Sequence, residues 1–171
     1  MDALTAIMTR RSIRQFTDEP VTAEQIETLL RAAMAAPSAG NQQPWRFVVA
    51  RDPEVRSRLA LATEYAAPMG RAPLGIVVLA DTRVSKHPGS WVQDCSAAVE
   101  NLLLAAHSIG LGGVWIGVHP VEERETAVRK IVEAPQGFAA LCMIAVGCPA
   151  GPGPEVDRFH SEWVREERWG K

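Results

Sequence analysis

The run Gly75-Ile76-Val77-Val78-Leu79-Ala80 has no polar side chain on either of its faces. Successive residues of a strand point to opposite faces, so a wholly apolar run needs cover on both. The chain must build that cover from its other segments, and its 171 residues suit one domain with a real core. The stretch Trp91 to Ile109 sets a similar demand at helical length. Asp94, Glu100, Asn101 and His107 make it a poor membrane span, so the reading is a helix packed nearly all round.

Other elements follow from local signals. Asp2 caps a short helix to Thr9. Thr22 and Gln25 fit a capping box, with Ile26, Leu29, Leu30, Ala33 and Met34 at helical spacing behind it and Pro37 as the stop. Trp45 to Ala50, Gly113 to Gly117 and Phe138 to Val146 read as strands. Pro53 opens one helix, and Val121 to Val132 is another, more charged one. Arg83 to Ser90 reads as a polar loop. Strands mixed with helices in this way indicate α+β or α/β. From Cys148 a Pro/Gly linker leads to a charged tail whose Phe159, Trp163 and Trp169 need burial somewhere, and a partner subunit is a natural place.

The formal net charge is -2, which excludes the broad basic surface that nucleic acid or anionic lipid requires. Any anion site must be a local concentration of charge. Cys95, Cys142 and Cys148 are odd in number and scattered, so no disulfide framework is expected. A reducing, cytoplasmic setting is the expectation, and Met1 to Arg14 lacks the apolar run of a signal peptide.

Three segments have residue types suited to chemistry. Arg10, Arg11 and Arg14 flank the hydroxyl of Ser12. Arg offers a planar fork that matches phosphate oxygens in pairs. Alone, the cluster favours a solvated basic turn after a helix, where its charge also offsets the helix dipole. Pro37 to Trp45 is polar but uncharged, with Ser38, Asn41, Gln42 and Gln43 able to donate and accept hydrogen bonds to a neutral heteroaromatic ring; its plainer reading is a structured loop. Gly110 to Gly117 has glycines but fails the dinucleotide fingerprint, since Trp115 stands where Gly is needed, and fails the phosphate-loop pattern, since Val118 follows Gly117. It reads as a helix cap and buried strand, or as bare backbone that a flat ligand can approach. The four histidines show no metal spacing, no metal site is expected, and no Gly-x-Ser-x-Gly elbow occurs. His107 reads as a core residue, and Asp94 and Glu100 need partners, Arg among the candidates.

In order, Arg10-Arg-Ser-Ile-Arg-Gln-Phe16, Ala36-Pro-Ser-Ala-Gly-Asn-Gln-Gln-Pro-Trp45 and Ala97 to Ala106 running into Gly110 to Gly117 resemble the nitroreductase family of FMN-dependent oxidoreductases. The resemblance covers nearly the whole chain. It implies a three-layer α/β/α fold of α+β type with a mixed central sheet. It also implies an intertwined homodimer with FMN at the subunit interface, residues 148–171 wrapping the partner, and the 91–109 helix packing on its counterpart.

Position by position, the family pattern puts Arg10 and Ser12 at the FMN phosphate and ribityl chain, with Arg11 inside the same motif, and Arg14 near the pyrimidine edge. Pro37, Ser38, Ala39 and Asn41 reach the isoalloxazine ring, mostly from the partner. Trp115, Ile116 and Gly117 face the ring and N5 with their backbone, and Arg158 is the nearest match to a basic residue on the phosphate. The implied reaction is ping-pong hydride transfer from NADH or NADPH, through flavin N5, to a small oxidant such as a nitroaromatic or quinone. No catalytic side chain is named. Reductive dehalogenation, reduction of an activated alkene, FMN binding without turnover and a cofactor-free protein are the alternatives.

Overall fold

The structure is a computed structural model that describes residues 1–84, 86–87, 89–154 and 156–169. Its elements run α1 (Ala3–Thr9), α2 (Ala23–Met34), β1 (Trp45–Ala50), α3 (Pro53–Leu59), α4 (Ala67–Arg71), β2 (Leu74–Asp81), α5 (Trp91–Ser108), β3 (Gly112–Gly117), α6 (Glu122–Ile131) and β4 (Phe138–Gly147). The sequence signals act as expected at the helix starts. Asp2 accepts from the Thr5 amide at 3.1 Å. The Thr22–Gln25 box closes both ways, at 3.1 and 2.8 Å. Asp52 caps α3 ahead of Pro53. Of the expected loop 83–90, positions 85 and 88 lie outside the described residues, and its start is a short 3-10 turn, Thr82–Val84.

The sheet order is β1-β2-β4-β3. All eight residues of β2 are buried, as a strand covered on both faces must be. Leu74, Ile76, Val78 and Ala80 turn to one face, under α2 and α5. Val77 and Leu79 turn to the other, where Leu59 of α3, Met69 of α4 and Val128 of α6 cover them. Helices therefore form a layer on each side of the sheet.

One detail departs from the expected mixed sheet. The four strands pair antiparallel throughout, and parallel pairing among the described residues is confined to an isolated bridge between Ser12 and Gly113. The physical reason is connectivity. Joined through α5, β2 and β3 run the same way, but β4 lies between them and pairs antiparallel with both, and the N-terminal segment meets the β3 edge in one bridge among the described residues.

Among the described residues, no helix is long and apolar enough to cross a membrane. Cys95, Cys142 and Cys148 are all free thiols. Burial pushes the Cys95 thiol up to about 12 and moves that of Cys142 well above its ordinary value.

Candidate functional site

The basic segment is laid against β3 by main-chain bonds. The Ile13 amide donates to Gly113 O at 3.0 Å, and on the other side Ala150 donates to Gln15 O and Thr17 to Cys148 O. Ile13 fits only because Gly112 has no side chain, since a Cβ there would come within 2.6 Å of it. The segment thus runs between the sheet edge and the start of the C-terminal linker.

Its arginines have different partners. Arg10 Nε sits 3.2 Å from a Glu100 carboxylate oxygen, so Glu100 finds the Arg partner expected of it. Arg11 donates to the carbonyls of Met8, Arg10, Pro154 and Val156 at 2.6–3.1 Å, pinning the linker to the segment. Arg14 is exposed, and among the described residues no carboxylate pairs with it. The Ser12 side chain is also exposed. His107 is half-buried beside this segment and shares a 2.8 Å hydrogen bond with Thr9 Oγ1. Burial, Arg10 and Arg11 push the pKa of its imidazole below the ordinary histidine value.

Arg14 and residues 115–117 line one cavity of about 580 Å³. Val114 and Ile116 point into the core beneath α6. Strand alternation sends Trp115 to the opposite face, where it pairs with Ile144 of the α5 layer. Ile116 is 2% exposed, so what it offers a ligand is backbone. A Cβ on Gly117 would meet nothing within 4 Å, which leaves open main chain at the end of β3. Tyr65, Arg71 and Arg124 complete the cavity, and sequence reasoning had not found them. They come from the turn after α3, from α4 and from α6, and no spacing links three residues on separate elements.

Pro37, Ser38, Ala39 and Asn41 sit elsewhere. Their loop precedes β1, at the sheet edge opposite β3, three strand spacings or about 14 Å across. The loop is well fixed. Gly40, Asn41 and Gln43 all have positive φ, Ser38 Oγ accepts from the Gln43 amide at 3.0 Å, and Gln42 bonds Ser90. Asp94, 5% exposed, accepts from the Ala39 amide at 2.9 Å, so its partner is backbone and no arginine. Its second oxygen has no hydrogen-bond partner among the described residues. None of the four loop residues lines the Arg14 cavity of the same chain. Arg158 is exposed on the tail, with no bond to the described residues.

These residues fit a flavin mononucleotide on three counts. A cluster of guanidinium groups and a free hydroxyl suit a phosphate. A cavity of this volume is in the range that holds cofactors. The bare backbone at Gly117 admits a flat ring.

A family model described as the nitroreductase family matches residues 7–66 and 61–148. A protein of Archaeoglobus fulgidus, provisionally named an NADH dehydrogenase/NAD(P)H nitroreductase, is 43% identical over 98% of this chain and 99% of its own length. Among solved structures, a provisional nitroreductase from Desulfovibrio desulfuricans in complex with FMN superposes with a TM-score of 0.85 at 36% identity, over 99% of this chain and 98% of that one. The NADPH:FMN oxidoreductase of Vibrio harveyi, complexed with NAD+, does so with a TM-score of 0.86 at 30% identity, over 99% and 78%.

Proposed function

The chain belongs to the nitroreductase family, and from that premise we propose that it is an FMN-dependent oxidoreductase that uses NAD(P)H to reduce a small oxidant such as a nitroaromatic or a quinone. The observation that carries this reading is the meeting of Arg14 with the open backbone of residues 115–117 in one cavity. The FMN and nucleotide complexes of similar structures support it.

The chemistry that FMN supplies when bound is hydride transfer in two halves, in from NAD(P)H and out to the oxidant, in ping-pong order. The chain's own residues bind and position. Arg10 and Ser12 hold the phosphate end, with Arg158 brought in by the tail. Arg11 serves the same motif by tying the linker in place. Arg14 sets a positive charge at the pyrimidine edge, where negative charge develops on reduction. Trp115, Ile116 and Gly117 present main chain to the ring. No side chain is assigned as acid or base.

Pro37, Ser38, Ala39 and Asn41 close the ring from a second subunit. Their place at the far edge of the sheet supports that division, as does the outer side of β1, which among the described residues pairs with β2 alone. Residues 148–171 reach the partner in an intertwined homodimer. Phe159, Trp163 and Trp169 are 69–80% exposed on their own chain, and Leu4, Ile7 and Met8 of α1 are 54–73% exposed. Apolar surface on that scale favours a covered interface.

The test is spectroscopic. Purified protein supplied with FMN should show the flavin absorption bands after desalting. Anaerobic NADH or NADPH should bleach them, and a nitroaromatic or quinone should restore them. A colourless protein that takes up no FMN overturns the reading.

A further inference from the structure

Among the described residues, three guanidinium groups line the cavity, from Arg14, Arg71 and Arg124, and no carboxylate does. Like charges in a cleft with low-dielectric walls concentrate field on whatever enters, and here the field favours an anion. Arg14 is claimed by the flavin edge in the reading above. Arg124 is on another element, in the first turns of α6, and is held in a particular way. Its guanidinium lies 5.4 Å from the centroid of the Tyr65 ring. Its Nη2 is 3.6 Å from a Glu64 oxygen. That carboxylate is 70% exposed and its attraction is screened by solvent, so the pair offsets little of the charge. The result is a flat aromatic surface beside a fixed cation, both facing one cavity.

We propose that Arg124, seated on Tyr65, selects electron acceptors that carry a negative charge. The planar body of the nitroaromatic or quinone lies against Tyr65, and its carboxylate or sulfonate meets the Arg124 fork. This inference rests on the oxidoreductase reading of the same cavity. It assigns to the chain a preference for anionic over neutral acceptors of the same ring system.

The experiment compares 4-nitrobenzoate with nitrobenzene as acceptors for the FMN-loaded protein at saturating NADH. The readout is the ratio of their kcat/KM values, so intrinsic reactivity cancels between variants. Arg124→Gln should lower the charged-to-neutral ratio about tenfold, through KM, as loss of a partly solvated charge-assisted bond implies. Arg124→Lys should restore part of the ratio. Glu64→Gln removes a screened carboxylate and should leave the ratio close to that of the unmodified chain. An unchanged ratio in Arg124→Gln overturns the inference. So does a ratio that holds while KM for NADH or NADPH rises, since the charge then serves the donor's phosphates. FMN uptake and bleaching by NADH are scored first on the unmodified chain. Failure there overturns the oxidoreductase reading, whereas normal uptake and bleaching without charge discrimination overturns this inference alone.

Discussion

Asp81 ends β2 on a charge that the rest of the strand lacks. It is 6% exposed, and Arg83 grips both its oxygens at 2.8 and 2.9 Å, with Arg46 at 3.8 Å. The Arg83 hydrogen bonds, aided by the charges of Arg83 and Arg46, hold its carboxyl below the ordinary carboxylate value of 3.8. A carboxyl with a lowered folded pKa stabilises the fold above its unfolded pKa, and that stabilisation is lost as pH falls through the folded value. Asp81→Asn should therefore cost ~1 kcal/mol at pH 7, discounted because Arg83 is largely exposed. The gap to the unmodified chain should narrow as pH falls below about 4. Urea denaturation at pH 7 and pH 3 measures both, and a gap independent of pH would mean that charge is not the cause. Arg10 carries the second residue-scale prediction. Arg10→Ala should weaken FMN binding by ~1.5–3 kcal/mol, read by fluorescence titration, because it removes a charge-assisted bond and leaves Glu100 unneutralised near the phosphate. An unchanged affinity would place the phosphate elsewhere. At this scale the sequence marked the cluster but could not divide its labour. Three arginines in five residues look alike until the fold ties Arg11 to Pro154 and Val156 and leaves Arg14 facing the cavity.

At the scale of elements, α2 is held at its start by chemistry written in four consecutive residues. Thr22→Ala should destabilise the protein by ~1 kcal/mol, measured as a lower urea midpoint with unchanged slope, because one amide of the first turn loses its acceptor. No shift in midpoint would mean that water replaces the cap at no cost. Elements of this kind were legible because their signals are local: β1 spans Trp45–Ala50 as read, and α5 closes one residue short of Ile109. The exception is α4, Ala67–Arg71. Five residues are too few to show a helical period, and Pro68 and Gly70 read as turn formers. Yet α4 buries Met69 and delivers Arg71 to the cavity.

The whole molecule sets the largest prediction. A chain that exposes Phe159, Trp163 and Trp169 on its own surface should sediment at twice its 18.6 kDa. Deleting residues 159–171 should shift that dimer toward monomer at low micromolar concentration and lower FMN uptake in parallel, since interface aromatics contribute heavily to association. A truncated chain that stays fully dimeric would mean that the tail does not hold the partner.

Legible in the chain are the elements that rest on periodicity and caps, the two-sided burial of β2, and the order of the segments that belong to one family. Those properties depend on residues close together in the chain. Which of those segments share a cavity depends on the folded arrangement. Pairing at Ser12 and Gly113 brings Arg14 into one cavity with residues 115–117, whereas the strand order sends Pro37 to Asn41 to the far edge. Tyr65, Arg71 and Arg124 converge on the Arg14 cavity from three elements by packing alone. Convergence of that kind depends on strand order and helix docking, which no local spacing encodes.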